Sequence, residues 1–503
     1  MFINSVKTPR GIEVHFGLAD PSRSNQISLL TGPNGSGKTD VLASIAQVFH
    51  GDPRILSGAE VRWNKGSKFK GSVIPISEFD SNGDYDDDYE RINLIAQTFS
   101  PFSRFPAARR IFSPYLAPIY ARGDDSKEDY ACIGFNQKSH VKLSKIPFSI
   151  LENGILRLSE RPRTARVAFD VLRELDFKNG IEFTYLSSKY LTAMINVADD
   201  SDRLEKILEN FAKTGIFTVD GHYYGKSILR RLLQELRAGN VGETIEYLRH
   251  AFNMIGEFSI PSRLTRGEWL KAYKYAAFRG QESMSSDFPY LQAFSVLSRL
   301  ELIRVVGCEL YPIGGGPVDL TRTSSGQQQM LCSIFGLAAA LEDHSVVLID
   351  EPELSLHPRW QMNFLKHLET ALEAVSNCHV LIATHSPLIV QAASEYGVQV
   401  ISMGNKSNAQ KAKYFAPNAS NSVEEMLVDV FHTPIPNSLH ISNEIFSLVT
   451  KAESGTHADK HDSMVQLTKY LTLYQQQGEG SRQMANLLAK ALNLVDSAIP
   501  ARE

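Results

Sequence analysis

The sequence predicts an α/β protein built on a parallel β-sheet, and three stretches carry that prediction. Val346-Val347-Leu348-Ile349 is a short unbroken apolar run that ends abruptly in Asp350, Glu351 and Pro352. A strand buried on both faces reads this way, whereas a strand with one wet face alternates. His379-Val380-Leu381-Ile382-Ala383 repeats the pattern and ends in Thr384, His385 and Ser386. Ile27-Ser28-Leu29-Leu30 leads into Gly32-Pro33-Asn34-Gly35-Ser36-Gly37-Lys38-Thr39, a full match to G-x-x-x-x-G-K-[ST]. A helical pattern follows at Val41, Leu42, Ile45, Val48 and Phe49. Strand, loop and helix in that order are the context the motif requires.

In open parallel sheets, ligands gather beyond the carboxyl ends of the strands. Asp350 and Glu351 therefore fall where a nucleotide, its metal ion and an attacking water would meet. Asn34, Gly35, Ser36 and Gly37 let backbone N–H groups converge on phosphates, helped by the positive end of the following helix. Lys38 would reach the outer phosphates, and Thr39 would coordinate Mg²⁺ together with Asp350.

Thr323-Ser324-Ser325-Gly326-Gln327-Gln328 precedes another helical pattern, with Met330, Leu331, Ile334, Leu337 and Leu341 at helical spacing. With this stretch added, the chain resembles the ABC-type branch of the AAA-family ATPases, whose motifs run in the same order. The resemblance makes Ser324, Ser325, Gly326 and Gln327 the signature motif. It makes Asp350 the Walker B aspartate, Glu351 the catalytic glutamate and His385 the switch histidine. Three positions depart from the family pattern: Thr323 replaces a leucine, Ser325 a glycine, and Gln327 a glutamate common in the repair branch. Glu351-Pro352-Glu353-Leu354-Ser355-Leu356-His357-Pro358 carries the E-P-E-x-x-L-H-P pattern of RecF-like and overcoming-lysogenization-defect proteins. Transporter ATPases have a different loop after the glutamate. Phe99 to Pro106 and Tyr130 to Gly134 also resemble the ATPase subunit of the Septu anti-phage system and of retrons that use a similar ATPase.

In chain order, Met1 to Ile3 and Ile12 to Phe16 read as opening strands, and Val61 to Ile76 as strand-rich. Asp80 to Asp88 has the look of a calcium loop, but Tyr89 stands where the bidentate glutamate belongs, so it reads as a solvated loop. Ile92 to Phe102 reads as a strand and turn feeding the family's glutamine loop, where the oxygen of either Ser100 at the strand end or Gln97 inside the strand could reach the metal through water. From Pro147 to Ala293 the texture is helical, as at Leu204, Ile207, Leu208 and Phe211 and at Ile228, Leu229, Leu232, Leu233 and Leu236. No heptad persists, so a compact helical insertion is expected rather than a coiled-coil arm. Basic clusters at Arg104 to Arg110, Arg161 to Arg166 and Arg230-Arg231 read as solvated faces. Leu302 to Leu310 resumes strand character, and Gly397 to Met403 reads as the last core strand. Ser422 and Glu425 form a capping box. Amphipathic helices follow, one with Leu467, Tyr470, Leu471 and Tyr474, the other with Leu487, Leu488, Leu492 and Val495.

The expected division is ATPase lobe I at 1–146, the insertion at 147–296, lobe II at 297–420 and a helical C-terminal region at 421–503. With 503 residues and 43% hydrophobic content, such a chain can bury a large core. No run is long and apolar enough to cross a membrane, and Cys132, Cys308, Cys332 and Cys378 lack metal-ligand spacing. A cytoplasmic protein with reduced core thiols is the reading. The net charge of −4 confines any DNA contact to a local patch.

One phosphate loop and one signature per chain imply a head-to-tail homodimer with composite ATP sites, the arrangement of the family. No Toprim, HNH or Ser/His/Asp pattern is present, so nuclease activity is not expected of this chain. The functional expectation is an Mg²⁺-dependent ATPase that regulates a co-encoded effector, such as an HNH nuclease, in anti-phage defence. The alternative is a RecF-like DNA-binding ATPase of repair or maintenance.

Overall fold

The computed structural model describes residues 2–17, 23–50, 59–65, 69–73, 93–100, 104–106, 130–134, 146–160, 165–198, 200–224, 229, 232–233, 236–237, 241–260, 269–277, 284–404, 413–415, 422–475 and 481–497. Strands β1 (Phe2–Lys7) and β2 (Glu13–His15) form a hairpin, and β3 (Gln26–Thr31) runs through the phosphate loop into α1 (Lys38–His50). Strands β4 (Glu60–Lys65) and β5 (Phe69–Val73) extend the hairpin into an antiparallel sheet of order β2-β1-β4-β5. Next come β6 (Leu94–Thr98), β7 (Tyr130–Gly134), α2 (Ile146–Glu160), α3 (Ala165–Glu174), β8 (Phe177–Ser188), α4 (Lys189–Ile195) and α5 (Ser201–Thr214). A small hairpin, β9 (Phe217–Val219) and β10 (His222–Tyr224), leads to α6 (Val241–Gly256), β11 (Ser259–Ile260), β12 (Trp269–Ala277) and α7 (Met284–Arg299).

The second half holds β13 (Ile303–Pro312), β14 (Val318–Asp319), α8 (Ser325–Ala340), β15 (Val346–Asp350), α9 (Pro358–Leu372) and β16 (His379–Ala383). After these lie α10 (Pro387–Ala392), β17 (Gln399–Ser402), β18 (Lys413–Phe415) and α11 (Val423–Glu425), then α12 (Leu439–Ser454), α13 (His457–Gln475) and α14 (Arg482–Ser497).

Among the described residues the central sheet runs β18-β17-β3-β16-β15-β6-β7, parallel throughout except for β18 at its edge. Its strands read as unbroken apolar runs because both faces are covered. Leu29, Ile95, Val347, Ile349, Val380 and Ile382 face one core, shared with α2, α8 and α9. Leu30, Ala96, Val346, Leu348 and Leu381 face the other, filled by Val41, Leu42 and Ile45 of α1 and by Ile3, Val6, Val14 and Val61 of the antiparallel sheet. Fully burying a side chain of this size contributes about 1.5–3 kcal/mol. This is an α/β fold, a mixed, mainly parallel sheet between helices, with the glycine-rich loop turning from β3 into α1.

The expected helical insertion needs correction. Segment 147–296 supplies α2 to α7, but it also supplies β8, β11 and β12. Together with β13 and β14 these form an antiparallel five-stranded sheet of order β11-β12-β8-β13-β14. Ile303 to Leu310 pairs with Ile181 to Ser187, so the strand expected to open lobe II belongs to this sheet. The reason is physical: Phe183, Tyr185, Tyr273 and Tyr275 alternate inward along β8 and β12. The Tyr185 ring stacks on Phe294 of α7 at 4.5 Å. This layer shares its core with the central sheet.

The capping serine at Ser422 accepts from the Glu425 N–H at 3.2 Å, but only α11 and a π-helical turn, Met426–Val430, follow it. Helices α12, α13 and α14 gather around Leu467, Tyr470, Tyr474, Leu488 and Val495, whereas Leu487 is exposed. The four cysteines are buried free thiols, and no helix among the described residues is long and apolar enough to cross a membrane. The acidic loop at 80–88, Ile228 and the arginines at 109, 110, 161, 163, 230 and 231 lie outside the described residues.

Candidate nucleotide site

The phosphate loop turns between β3 and α1 through glycines that have no substitute. Gly32 has φ +141°, and a Cβ there would sit 2.3 Å from the Met403 carbonyl oxygen. Gly37 has φ +98°, and its Cβ would meet the Ile12 side chain at 2.3 Å. Only a residue without a side chain allows these approaches. Lys38 opens α1 and is almost fully buried. Its Nζ donates to the carbonyls of Gly32 (2.8 Å) and Pro33 (3.2 Å) and to Ser36 Oγ (3.4 Å). Burial pulls the Lys38 ammonium down to about 8, against the attraction of Glu353, Glu351 and Asp350.

Asp350 ends β15 in register with Thr98 and Ala383. Thr39 Oγ1 donates to Asp350 Oδ1 at 3.0 Å, joining the glycine-rich loop to the end of β15. Burial pushes Asp350 up to about 7; the Thr39 hydrogen bond opposes this, and Glu351 and Glu353 add to it. A buried carboxyl beside two others is the donor set a divalent cation relieves, so the residues fit Mg²⁺. Among the described residues no three His, Cys, Asp or Glu side chains converge to hold a metal alone, so phosphate and water oxygens would complete the shell.

Glu351 has φ +50°, in the left-handed region, and its N–H donates to the Ala383 carbonyl at 2.9 Å. This turn brings its carboxylate to 4.0 Å from His385 Nε2, with both side chains about one-third exposed. Burial, then the Lys38 charge, lowers His385 to about 4, which keeps the imidazole neutral near pH 7. Glu353 was not singled out in the sequence reading, although the E-P-E pattern marks it. Its carboxylate accepts from the His385 N–H and, at 2.9 Å, from the Thr384 hydroxyl. Glu353 therefore fixes the backbone that presents His385.

The signature residues stand apart from this cluster. Ser324 caps α8: its Oγ accepts from the Gln327 N–H at 3.2 Å, and Gln327 Oε1 accepts from the Ser324 N–H at 3.0 Å. The side chain of Gln327 is thus engaged in the cap, and its Nε2 also reaches the Leu175 carbonyl at 3.4 Å. Ser324 and Ser325 are exposed, whereas Gly326 is buried. No hydrogen bond or ion pair among the described residues joins Ser324, Ser325, Gly326 or Gln327 to Lys38, Thr39 or Asp350.

The glutamine-loop reading is corrected in part. Gln97 cannot serve Asp350, because alternation puts it on the opposite face of the sheet. Its Nε2 donates to Ser333 Oγ of α8, and its Oε1 is buried without a partner among the described residues. Thr98 lies on the Asp350 face, and its hydroxyl accepts from the Ser100 N–H at 3.1 Å. Beside α1, residues Thr8, Arg10, Asp40, Ser44, Gln47 and Arg104 enclose a pocket of about 200 Å³. Asp40 holds Arg10 at 3.0 Å and also pairs with Arg104. Sequence reading took Arg104 for a solvated cation and missed Asp40, which directly follows Thr39.

Residues 274–391 match a family described as "AAA domain, putative AbiEii toxin, Type IV TA system", a span holding the signature, Walker B and His385 but not the phosphate loop. The chain is 21% identical over 470 residues to "Retron Vc95 probable ATPase" of Vibrio cholerae serotype O1 biovar El Tor, covering 88% of this chain and 81% of that one. It is 33% identical over 128 residues to "Retron Ec83 probable ATPase" of Escherichia coli, 23% of each chain. Among solved structures, an Smc head domain from Pyrococcus furiosus aligns over 82% of this chain and 96% of its own, at 12% identity and a TM-score of 0.31. The chain is thus similar to proteins named as probable ATPases of retrons.

Proposed function

We propose that this chain binds and hydrolyses ATP with Mg²⁺ as a head-to-tail homodimer, and regulates a separate toxic effector, a nuclease, in cytoplasmic anti-phage defence. The observation that carries the ATPase reading is the meeting of Lys38, Thr39, Asp350, Glu351 and His385 at one sheet edge. The defence reading is supported by the likeness, over most of the chain, to a retron-associated protein.

The mechanism follows from what these side chains can do. Lys38 exchanges the carbonyls of Gly32 and Pro33 for phosphate oxygens, stronger charge-assisted partners. Thr39 and Asp350 would hold Mg²⁺, which supplies charge neutralisation on the phosphates, and Ser100 stands at the adjoining loop. Glu351 orients and deprotonates the attacking water. Neutral His385 donates an N–H toward the γ-phosphate. The pocket between Arg10, Asp40 and Arg104 takes the nucleoside end. Ser324 of the partner subunit, with the start of its α8, closes the site from the other side.

Purified chain should hydrolyse ATP slowly and leave plasmid DNA and total RNA intact with Mg²⁺ or Mn²⁺. Cutting should require a co-encoded effector and respond to ATP. Ser324→Arg should lose hydrolysis while its own phosphate loop remains intact, and mixing it with Lys38→Ala should restore at most one active site per mixed dimer. Full activity of Ser324→Arg alone would sink the composite site. DNA-stimulated hydrolysis with no effector in the operon would favour a RecF-like role instead.

A further inference from the structure

The loop after Glu351 is also gripped by helix α8. Gln329 of α8 is buried, and its Nε2 donates to the Pro352 carbonyl at 2.9 Å. Pro352 follows Glu351 directly, and Glu351 sits in left-handed backbone with φ +50°. Two amides complete the turn: Leu354 N–H to the Glu351 carbonyl at 3.3 Å, and Leu356 N–H to the Glu353 carbonyl at 3.0 Å. A second contact lies one helical turn away from Gln329. At Gly326 a Cβ would come within 2.5 Å of the Ser355 carbonyl and 2.9 Å of the Trp360 ring. Ser355 is itself left-handed, with φ +61°. The start of α8, whose cap is Ser324, therefore bonds the loop after Glu351 at Pro352 through Gln329 and packs closely against it at Ser355 through Gly326.

We propose that Gln329 is a positioning residue for hydrolysis: its amide, by holding the Pro352 carbonyl, sets the turn that presents Glu351 and ties that turn to the α8 start carrying Ser324. This rests on the reading of Glu351 as the residue that activates water. A non-glycine residue keeps a left-handed conformation only where its surroundings over-determine it. Pro352 has no N–H to help, so its carbonyl is the handle by which the turn is held. A buried carbonyl that loses its donor also loses the compensation for its burial, so the turn relaxes toward other conformations. Through the same contact, the half of a site that one chain offers its partner moves together with that chain's own Glu351.

Gln329→Met keeps the volume and removes the donor. In the nucleotide-free chain, amide hydrogen exchange at Leu354 and Leu356 should quicken at least about tenfold, while exchange in the β15 core stays unchanged. KM for ATP should stay within about twofold and kcat should fall at least about tenfold, the split expected when only the transition state loses an interaction. Gln329→Glu supplies an independent readout. Its carboxyl donates to Pro352 only when protonated, and burial at this position favours that form. Its kcat relative to the unsubstituted chain should therefore rise as pH falls from 8 to 6. Unchanged exchange and kcat in Gln329→Met, or a flat ratio in Gln329→Glu, would overturn the proposal. If the unsubstituted chain hydrolyses no ATP, the functional reading fails instead, and the exchange experiment still decides whether Gln329 holds the turn.

Discussion

Strand β16 has one histidine at its start and another just past its end, and the two live under opposite rules. His379 is fully buried: its Nδ1 accepts from the Ile3 N–H at 3.0 Å, and its Nε2 lies 3.1 Å from Ser28 Oγ. The Phe16 ring meets it edge-on, and the Ser28 hydroxyl donates to Gln399 Oε1 at 3.1 Å. His385 is about one-third exposed and faces Glu351 at 4.0 Å, and its backbone N–H is held by Glu353. At the amino edge of the sheet, polar groups bond to one another and close the core. At the carboxyl edge, an ammonium, three carboxyl groups and an imidazole crowd together, and the Glu351 and His385 side chains stay about one-third exposed. That contrast separates a structural polar cluster from one waiting for a ligand.

Perturbing the carboxyl edge should cost function and leave the fold in place, and the largest such effect belongs to Lys38. Lys38→Ala should weaken ATP binding about a hundredfold or more in a titration, from loss of a charge-assisted contact worth up to about 3 kcal/mol. Its melting temperature should not fall, since a buried ammonium is removed. The two histidines should then separate cleanly. His385→Ala should lower kcat about a hundredfold with a nearly unchanged melting curve. His379→Ala should cost about 2–4 kcal/mol in denaturant unfolding, as two buried partners lose their bonds, and leave kcat of the folded fraction intact.

Burial holds His379 down to about 3 from an ordinary value of 6.5. The unfolded chain takes up a proton near 6.5 that the folded chain refuses until about 3. Stability from this group is therefore full above 6.5 and falls with acidification, by about 1.4 kcal/mol per pH unit across that window. His379→Gln should flatten that part of the stability–pH curve. The smallest effect belongs to the pocket: Asp40→Asn frees Arg10 and Arg104 from exposed ion pairs and should shift KM for ATP only about two- to fivefold.

Sequence alone made the carboxyl edge legible because its chemistry lies in contiguous motifs. Gly32 to Thr39, Asp350-Glu351 and Thr384-His385 each sit just past an apolar run, and a parallel sheet brings such endings together. His379 was visible only as the first residue of a strand, since its partners Ile3 and Ser28 come from distant segments. The antiparallel sheet escaped for the same reason. Strand β12 finds its partner β8 across helices α4, α5 and α6, and the surrounding helical periodicity hid its alternation. Gln97 misled because its type suits the family's loop, while register alone assigns its face. Glu353 meets the Thr384 hydroxyl and the His385 N–H, and Gln329 meets the Pro352 carbonyl, contacts no residue pattern encodes.

The account centres on Glu351 as the group that activates water while Asp350 and Thr39 keep the nucleotide in place. Glu351→Gln preserves size and hydrogen bonding but removes the base. Single-turnover hydrolysis of radiolabelled ATP, measured beside equilibrium binding, tests this directly. Binding should match the unsubstituted chain within a few-fold, hydrolysis should slow about 10²–10⁴-fold, and intact ATP should be recovered from the protein. Hydrolysis at the unsubstituted rate with normal binding would contradict it.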